Sequence, residues 1–175
     1  MGRSSKRVAG RSSGRQSPYL LYLPVHTPIG RLHLAADDRG LVRVELPGPN
    51  AHLRLNVWLA LHFPNLQHRS GINPILRQAA TEISEYFASS RTSFSVPFSP
   101  VGTAFQRAVW TALASIPFGE TRSYRDIARM VDRAKAVRAV GAANAVNPLP
   151  LVLPCHRVIG SNGRLTGYAG GIAVK

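Results

Sequence analysis

One cysteine in 175 residues, Cys155, limits what this chain can fold into more than any other feature. It rules out an internal disulfide framework and removes the thiolate clusters on which structural zinc sites usually depend. The fold must therefore rest on apolar burial. With 45% of its residues hydrophobic, the chain can bury a core for one compact domain or two small ones. A lone thiol also suits a reducing compartment, where it stays free to react. His26, His33, His52, His62 and His68 show no close ligand spacing, so neither a metal nor another cofactor is expected.

No run of about eighteen apolar residues occurs, as a spanning helix would need. The short run Tyr19-Leu20-Leu21-Tyr22-Leu23 ends at Pro24, which argues against a secretory signal. The expected location is the cytoplasm, on the nucleoid, or the nucleus in a eukaryote. The 22 Lys+Arg against 8 Asp+Glu give a net charge of +14. A field of that size attracts polyanions and releases counterions when it meets phosphates. Nucleic acid is the first partner to consider and an acidic membrane surface the second; a generally basic proteome would give the same composition.

Residues 1–17 are rich in Ser, Gly and Arg with no acidic residue, and are expected to form a disordered basic tail. Residues 18–98 read as an N-terminal α/β lobe. Leu32, Leu34 and Ala36 alternate with Arg31, His33 and Ala35, Asp37-Asp38-Arg39-Gly40 supplies a turn, and residues 41–46 make a second strand. A short helix is expected over 53–61. A clearer one starts at Asn73-Pro74, with Ile75, Leu76, Ala79, Ile83, Tyr86 and Phe87 on one apolar face. Residues 94–98 read as a short strand, and Pro97 and Pro100 mark the boundary with the second lobe.

Residues 99–175 are predicted to be mainly helical. Thr103 caps a helix carrying Phe105, Val109, Trp110 and Leu113; Ser123 caps one carrying Tyr124, Ile127, Ala128 and Val131; a third runs over 135–145. The last two, with arginines around them, read either as a helix-turn-helix or as a plain helical hairpin. An extended apolar run then leads over 149–154 to Cys155-His156-Arg157, and Ser161-Asn162-Gly163-Arg164 gives the turn of a wing. The fold class is α+β: a small antiparallel sheet with helices, followed by a winged helix-turn-helix-like lobe. There are no internal repeats and no phosphate-cradling glycine loop.

Cys155 lies between a proline-flanked apolar segment and His156. Nucleophilic attack needs the thiolate, and an adjacent imidazole can accept the proton directly or through a water. Adjacency in sequence does not fix geometry, so an inert buried cysteine beside a surface histidine is the plain alternative. The surrounding residues decide between them. Pro154-Cys155-His156-Arg157-Val158 resembles the active-site motif of the O6-alkylguanine-DNA alkyltransferases. The likeness continues through Arg138-Ala139-Val140-Gly141, Asn144, Asn147-Pro148 and Gly167-Tyr168-Ala169-Gly170-Gly171. It also takes in Phe105 to Trp110 and Ile116 to Tyr124. It is dense over 103–174 and faint over 19–98, where Thr27-Pro28-Ile29-Gly30 is the best echo.

The resemblance implies a single-turnover repair protein. It would move a methyl or larger alkyl group from O6-alkylguanine in double-stranded DNA, with O4-alkylthymine a second candidate, onto Cys155. His156 would act as the base through a water and Asn147 as a structural hinge. Because the alkylated atom lies inside the duplex, the nucleotide must be turned out into a pocket. Tyr124, Val158, Tyr168 and the amide of Ala169 match the positions that grip the base, and Arg138 matches the arginine finger that fills the gap in the stack. Ala136 falls on a recognition helix in the minor groove, and Tyr124, Arg125 and Ser161 fall where further DNA contacts would lie. The family acts as a monomer with no obligatory protein partner. Its histidine-orienting glutamate, in a C-terminal helix, has no counterpart up to Lys175. Either the sequence is a piece of a longer chain or the thiol is weakly activated. A lesion sensor without chemistry and a cysteine hydrolase are the competing readings.

Overall fold

The computed structural model describes residues 19–175; the basic tail expected at 1–17 lies outside the described residues. The fold is α+β. Strands β1 (Tyr19–Thr27), β2 (Gly30–Ala36), β3 (Leu41–Glu45) and β4 (Gln67–Ser70) form one sheet in the order β3-β2-β1-β4. The first three pair antiparallel as expected, with Leu23 opposite Leu34. Edge strand β4 pairs parallel to β1, so the sheet is mixed. Gly30 closes the β1–β2 turn at φ 115, where a Cβ would also sit 2.9 Å from Pro47; only glycine fits there. Asp37 builds the next turn by accepting the amides of Arg39 and Gly40 at 2.8 and 3.0 Å.

The strand alternation serves two cores. Helix α1 (Ala51–His62) covers one face, where Leu20, Ala35, Val42, Leu55 and Leu59 cluster. The other face meets helix α2 (Pro74–Phe87) and is continuous with the interior of the C-terminal half. Leu32, Leu34 and Leu76 share a cluster there with Trp110, Leu113, Leu149 and Val158. Truncating a fully buried leucine such as Leu34 to alanine costs about 2–5 kcal/mol.

Local capping chemistry sets the helix starts. Asn73 accepts from the Leu76 amide ahead of α2, with Pro74 in the first turn. Thr103 and Ser123 each form a reciprocal capping box, with Gln106 and Asp126, ahead of α3 (Ala104–Ala114) and α4 (Tyr124–Met130). Helix α5 (Val137–Ala145) begins two residues later than predicted and leaves Ala136 at its N-cap. No helix among the described residues is long and apolar enough to cross a membrane.

Three expected segments differ. Residues 94–98 form no strand, because the buried Glu82 carboxylate takes the amides of Ser95 and Val96 at 2.8 and 3.1 Å. Only a bridge from Leu41 to Phe98 remains. Residues 149–154 are not extended: they coil through left-handed Leu151 (φ 74), with the Leu153 amide donating to the Leu149 carbonyl at 2.8 Å. The turn at Ser161–Arg164 closes through the Gly160 amide on the Arg164 carbonyl at 2.9 Å, but no strand returns beside β6 (Val158–Ile159). Instead β6 pairs parallel with β5 (Arg122–Ser123), so the wing is a closed loop rather than a hairpin ladder.

Candidate active site

Cys155 opens a 3-10 turn, Cys155–Arg157, at the end of the coiled segment after α5. Asn147 organises that segment. Its Nδ2 donates to the Leu153 carbonyl at 2.8 Å, and its Oδ1 accepts the Leu149 amide at 3.0 Å. Both of its polar atoms thus bridge the loop inside the core, and the second Nδ2 hydrogen is left for the Cys155 thiol. Asn144, one turn earlier on α5, points Nδ2 at the Cys155 carbonyl at 3.5 Å. The left-handed Leu151 costs about 1–3 kcal/mol, and the buried Leu149, Val152 and Leu153 around it hold it there. Arg157 fastens the other end of the turn: Nη1 donates to the Ile116 carbonyl at 2.7 Å, and the guanidinium lies over Phe118.

The three titratable groups of the centre are neutral at pH 7. Burial pushes the Cys155 thiol up, against which the Asn147 side chain, hydrogen-bonded to it, pulls down. Burial, helped by the charges of Arg157 and Lys175, pushes His156 down to about 4. Tyr168 is raised by burial and by the charge and hydrogen bond of Cys155. A raised thiol beside a lowered imidazole means that the free protein holds its proton on sulfur. The thiolate has to be made when the site is filled.

Around the sulfur, Leu46, Asn144, Ala145, Asn147, Pro150 and the 167–169 segment enclose a cavity of about 20 Å³. That is room for one water molecule and not for a purine. Tyr168 lines this cavity, buried against Cys155. An adjoining cleft of about 950 Å³ runs between the lobes and shares Leu46, Ala145, Asn147, Pro150 and Ala169 with the cavity.

The predicted site residues divide into groups. Cys155, Asn147, Tyr168 and Ala169 meet at the cavity. His156 follows Cys155 in the turn, its Nδ1 buried without a partner and its Nε2 3.5 Å from Tyr86 Oη. Val158 does not line the cavity; it is fully buried in the core, where β6 pairing with Arg122 holds it. Tyr124 starts α4, packs near Gly141 and accepts from Thr166 Oγ1 at 3.3 Å. Arg125, Arg138 and Ser161 are exposed, and Ala136 is half-buried at the α5 cap. Sequence reasoning missed Tyr86, which it placed on the apolar face of α2. The available signal was weak: a tyrosine on a core face needs a partner for its hydroxyl.

A thiol in a tight turn, a neighbouring imidazole and a base-sized cleft beside a pair of arginine-bearing helices define a DNA-directed cysteine acceptor. The comparisons with known proteins agree with that class. Residues 19–100 match the ribonuclease-like domain of 6-O-methylguanine DNA methyltransferase, and residues 104–175 match its DNA binding domain. The chain belongs to that family. It is 45% identical over 151 residues to the constitutive methylated-DNA--protein-cysteine methyltransferase of Bacillus subtilis, covering 85% of this chain and 86% of that one. It is 40% identical over 157 residues to the methylated-DNA--protein-cysteine methyltransferase of Methanosarcina acetivorans, covering 89% and 94%. Among solved structures, Mycobacterium tuberculosis OGT in complex with DNA superposes with a TM-score of 0.72 at 37% identity, over 88% of this chain and 86% of that one.

Proposed function

We propose that this protein repairs O6-alkylguanine in DNA by taking the alkyl group onto Cys155, once per molecule. The observation that carries the reading is a buried cysteine in a turn locked by Asn147 and Arg157, its small cavity sharing five lining residues with the large cleft between the lobes. The Cys155 proton passes to His156, directly or through a water, and the thiolate attacks the alkyl carbon in line. As the S–C bond forms, the C–O6 bond breaks with its electron pair going to guanine. The proton is then delivered to the departing base. The product is a thioether, which no neighbouring group can cleave, so the acceptor is spent.

DNA is the partner in this reading, and the protein works where chromosomal DNA is kept. Arg138 is the residue assigned to fill the stack after extrusion: it is exposed on α5, and no hydrogen bond or ion pair among the described residues holds it. Exposed Arg125 and Ser161 and half-buried Ala136 are assigned to the backbone and groove. Tyr124 and the Ala169 amide are assigned to the departing guanine, with Tyr168 moving to stack on it. Val158 supports the pocket from behind.

Incubation with duplex containing O6-methylguanine, followed by mass analysis of the Cys155 peptide, tests the reading. One added methyl per molecule is expected. Cys155→Ala should abolish transfer while leaving duplex affinity intact. Lesion binding by the natural chain without an adduct would leave only the sensor reading standing.

A further inference from the structure

Whatever group the acceptor receives ends up bonded to sulfur, so the space beside Cys155 limits what can be taken. That space is the cavity of about 20 Å³. A methyl is about the size of the one water molecule the cavity can hold, and a butyl group is far larger. A larger product has to overflow past one of the walls, and the walls are not equal. Leu46, Ala145, Asn147, Pro150 and Ala169 each face both the cavity and the adjoining cleft of about 950 Å³. Ala145 and Ala169 carry only a methyl. Asn147 is bonded to Leu153 and Leu149 across its loop, and Pro150 is a rigid ring within that loop. Leu46 alone sets a long, flexible apolar side chain between the two spaces, and of these residues it alone comes from the N-terminal half.

Leu46 is held where it stands. Only 5% of it is exposed. Its carbonyl accepts Arg54 Nη2 at 3.0 Å, and two residues earlier the Val44 amide donates to the Pro148 carbonyl at 2.8 Å. The end of β3 is thereby fastened to the loop that leads to Cys155. Across from it, a Cβ on Gly170 would stand 3.1 Å from Leu46 Cδ1, closer than an ordinary carbon–carbon contact. The absence of that atom leaves room for the leucine to lie over the cavity.

We infer that Leu46 is a specificity-determining residue for alkyl transfer: its side chain closes the space beside the sulfur toward the cleft, and so favours methyl over longer groups. The inference rests on the reading of Cys155 as acceptor. Size selection is then set from the half of the chain that holds none of the reacting groups. Trimming the isobutyl group of Leu46 to a methyl joins the cavity to the cleft and gives a longer chain somewhere to lie. In an apolar pocket, one methylene more or less is worth tenfold or more in rate.

The test uses the full chain and two duplexes, one carrying O6-methylguanine and one O6-butylguanine, with single-turnover transfer read from each. The natural protein should prefer methyl. Leu46→Ala should raise the butyl-to-methyl rate ratio about tenfold. Leu34→Ala, which hollows the same core away from the cavity, should leave the ratio where it was. A second readout needs no lesion: the rates at which Cys155, the single thiol, is labelled by iodoacetamide and by the bulkier iodoacetanilide. In Leu46→Ala that ratio should shift toward the bulkier reagent. Ratios that ignore Leu46→Ala, or that respond equally to Leu34→Ala, overturn the inference, as does a natural protein that takes butyl as fast as methyl. If Leu46→Ala fails to fold, Leu46→Val decides, by a smaller rise in the same direction or by none. No transfer from either duplex together with a shifted labelling ratio would uphold the wall and overturn the repair activity instead.

Discussion

The surroundings of Cys155 and the outer surface of α4 and α5 treat charge in opposite ways. Around the sulfur, the thiol, imidazole and phenol are neutral, and Asn147 and Arg157 are committed to main-chain carbonyls. On the helix pair, Arg125, Arg133, Lys135 and Arg138 are exposed. Arg129 reaches Asp126 at 3.6 Å with its side chain 64% exposed, a pair worth little in water. Rigidity and free charge are thus kept apart, since the cation in the turn, Arg157, is tied to a carbonyl. The candidate centre is preorganised by burial, whereas the surface that would meet phosphate keeps free cations and gives up fixed geometry.

That contrast breaks first at Asn147. Asn147→Ala removes the acceptor for Leu149, leaving a buried main-chain amide unpaired, and one of the two donors to the Leu153 carbonyl, which keeps the Cys155 amide at 2.7 Å. A loss of about 1–3 kcal/mol in urea unfolding is expected, with transfer falling by more than stability alone explains, since the thiol also loses its hydrogen bond. A loss under about 1 kcal/mol would mean that the loop is held by apolar packing alone.

Acid probes the same centre through linkage. His156 is held at about 4 by burial, against an ordinary value of 6.5. A histidine lowered on folding contributes stability that is full above pH 6.5 and lost as pH falls from 6.5 toward 4, up to about 3 kcal/mol. His33, buried against His52 and lowered mainly by that burial, has the same sign. Urea midpoints should fall over that window and flatten in His156→Asn. Transfer should not lose a limb to His156 above about pH 5, and should rise with pH as the raised thiol titrates.

The elements legible in the sequence are those built by neighbours. Asn73, Thr103 and Ser123 each announce a helix with chemistry contained within four residues. What escaped depends on distant partners. β4 is polar throughout, and only its pairing with β1 makes it a strand. Phe94, Val96 and Phe98 alternate like a strand, but Glu82, more than ten positions earlier, claims the amides between them. The prolines of 149–154 suggest an extended run that Asn147 and Leu151 coil instead. The candidate centre could be named from the sequence because the Cys155 motif is contiguous and the family likeness is dense. Tyr86 was hidden because its contact with His156 spans the two halves.

The exposed side of the comparison is tested by two arginines that look alike in burial. Arg138 is assigned to the base stack and Arg125 to phosphate. Arg138→Ala should slow transfer about tenfold, because an extruded base without a replacement in the stack falls back. Its effect on undamaged duplex should be smaller. Arg125→Ala should leave the transfer rate at saturating DNA unchanged and weaken binding uniformly across sequences, with the slope of log affinity against log salt reduced by about 1. Equal effects of the two substitutions on transfer at saturation would show that the helix pair acts only as a field of positive charge. The difference between them is what makes the surface a reader of extruded bases rather than a general phosphate binder.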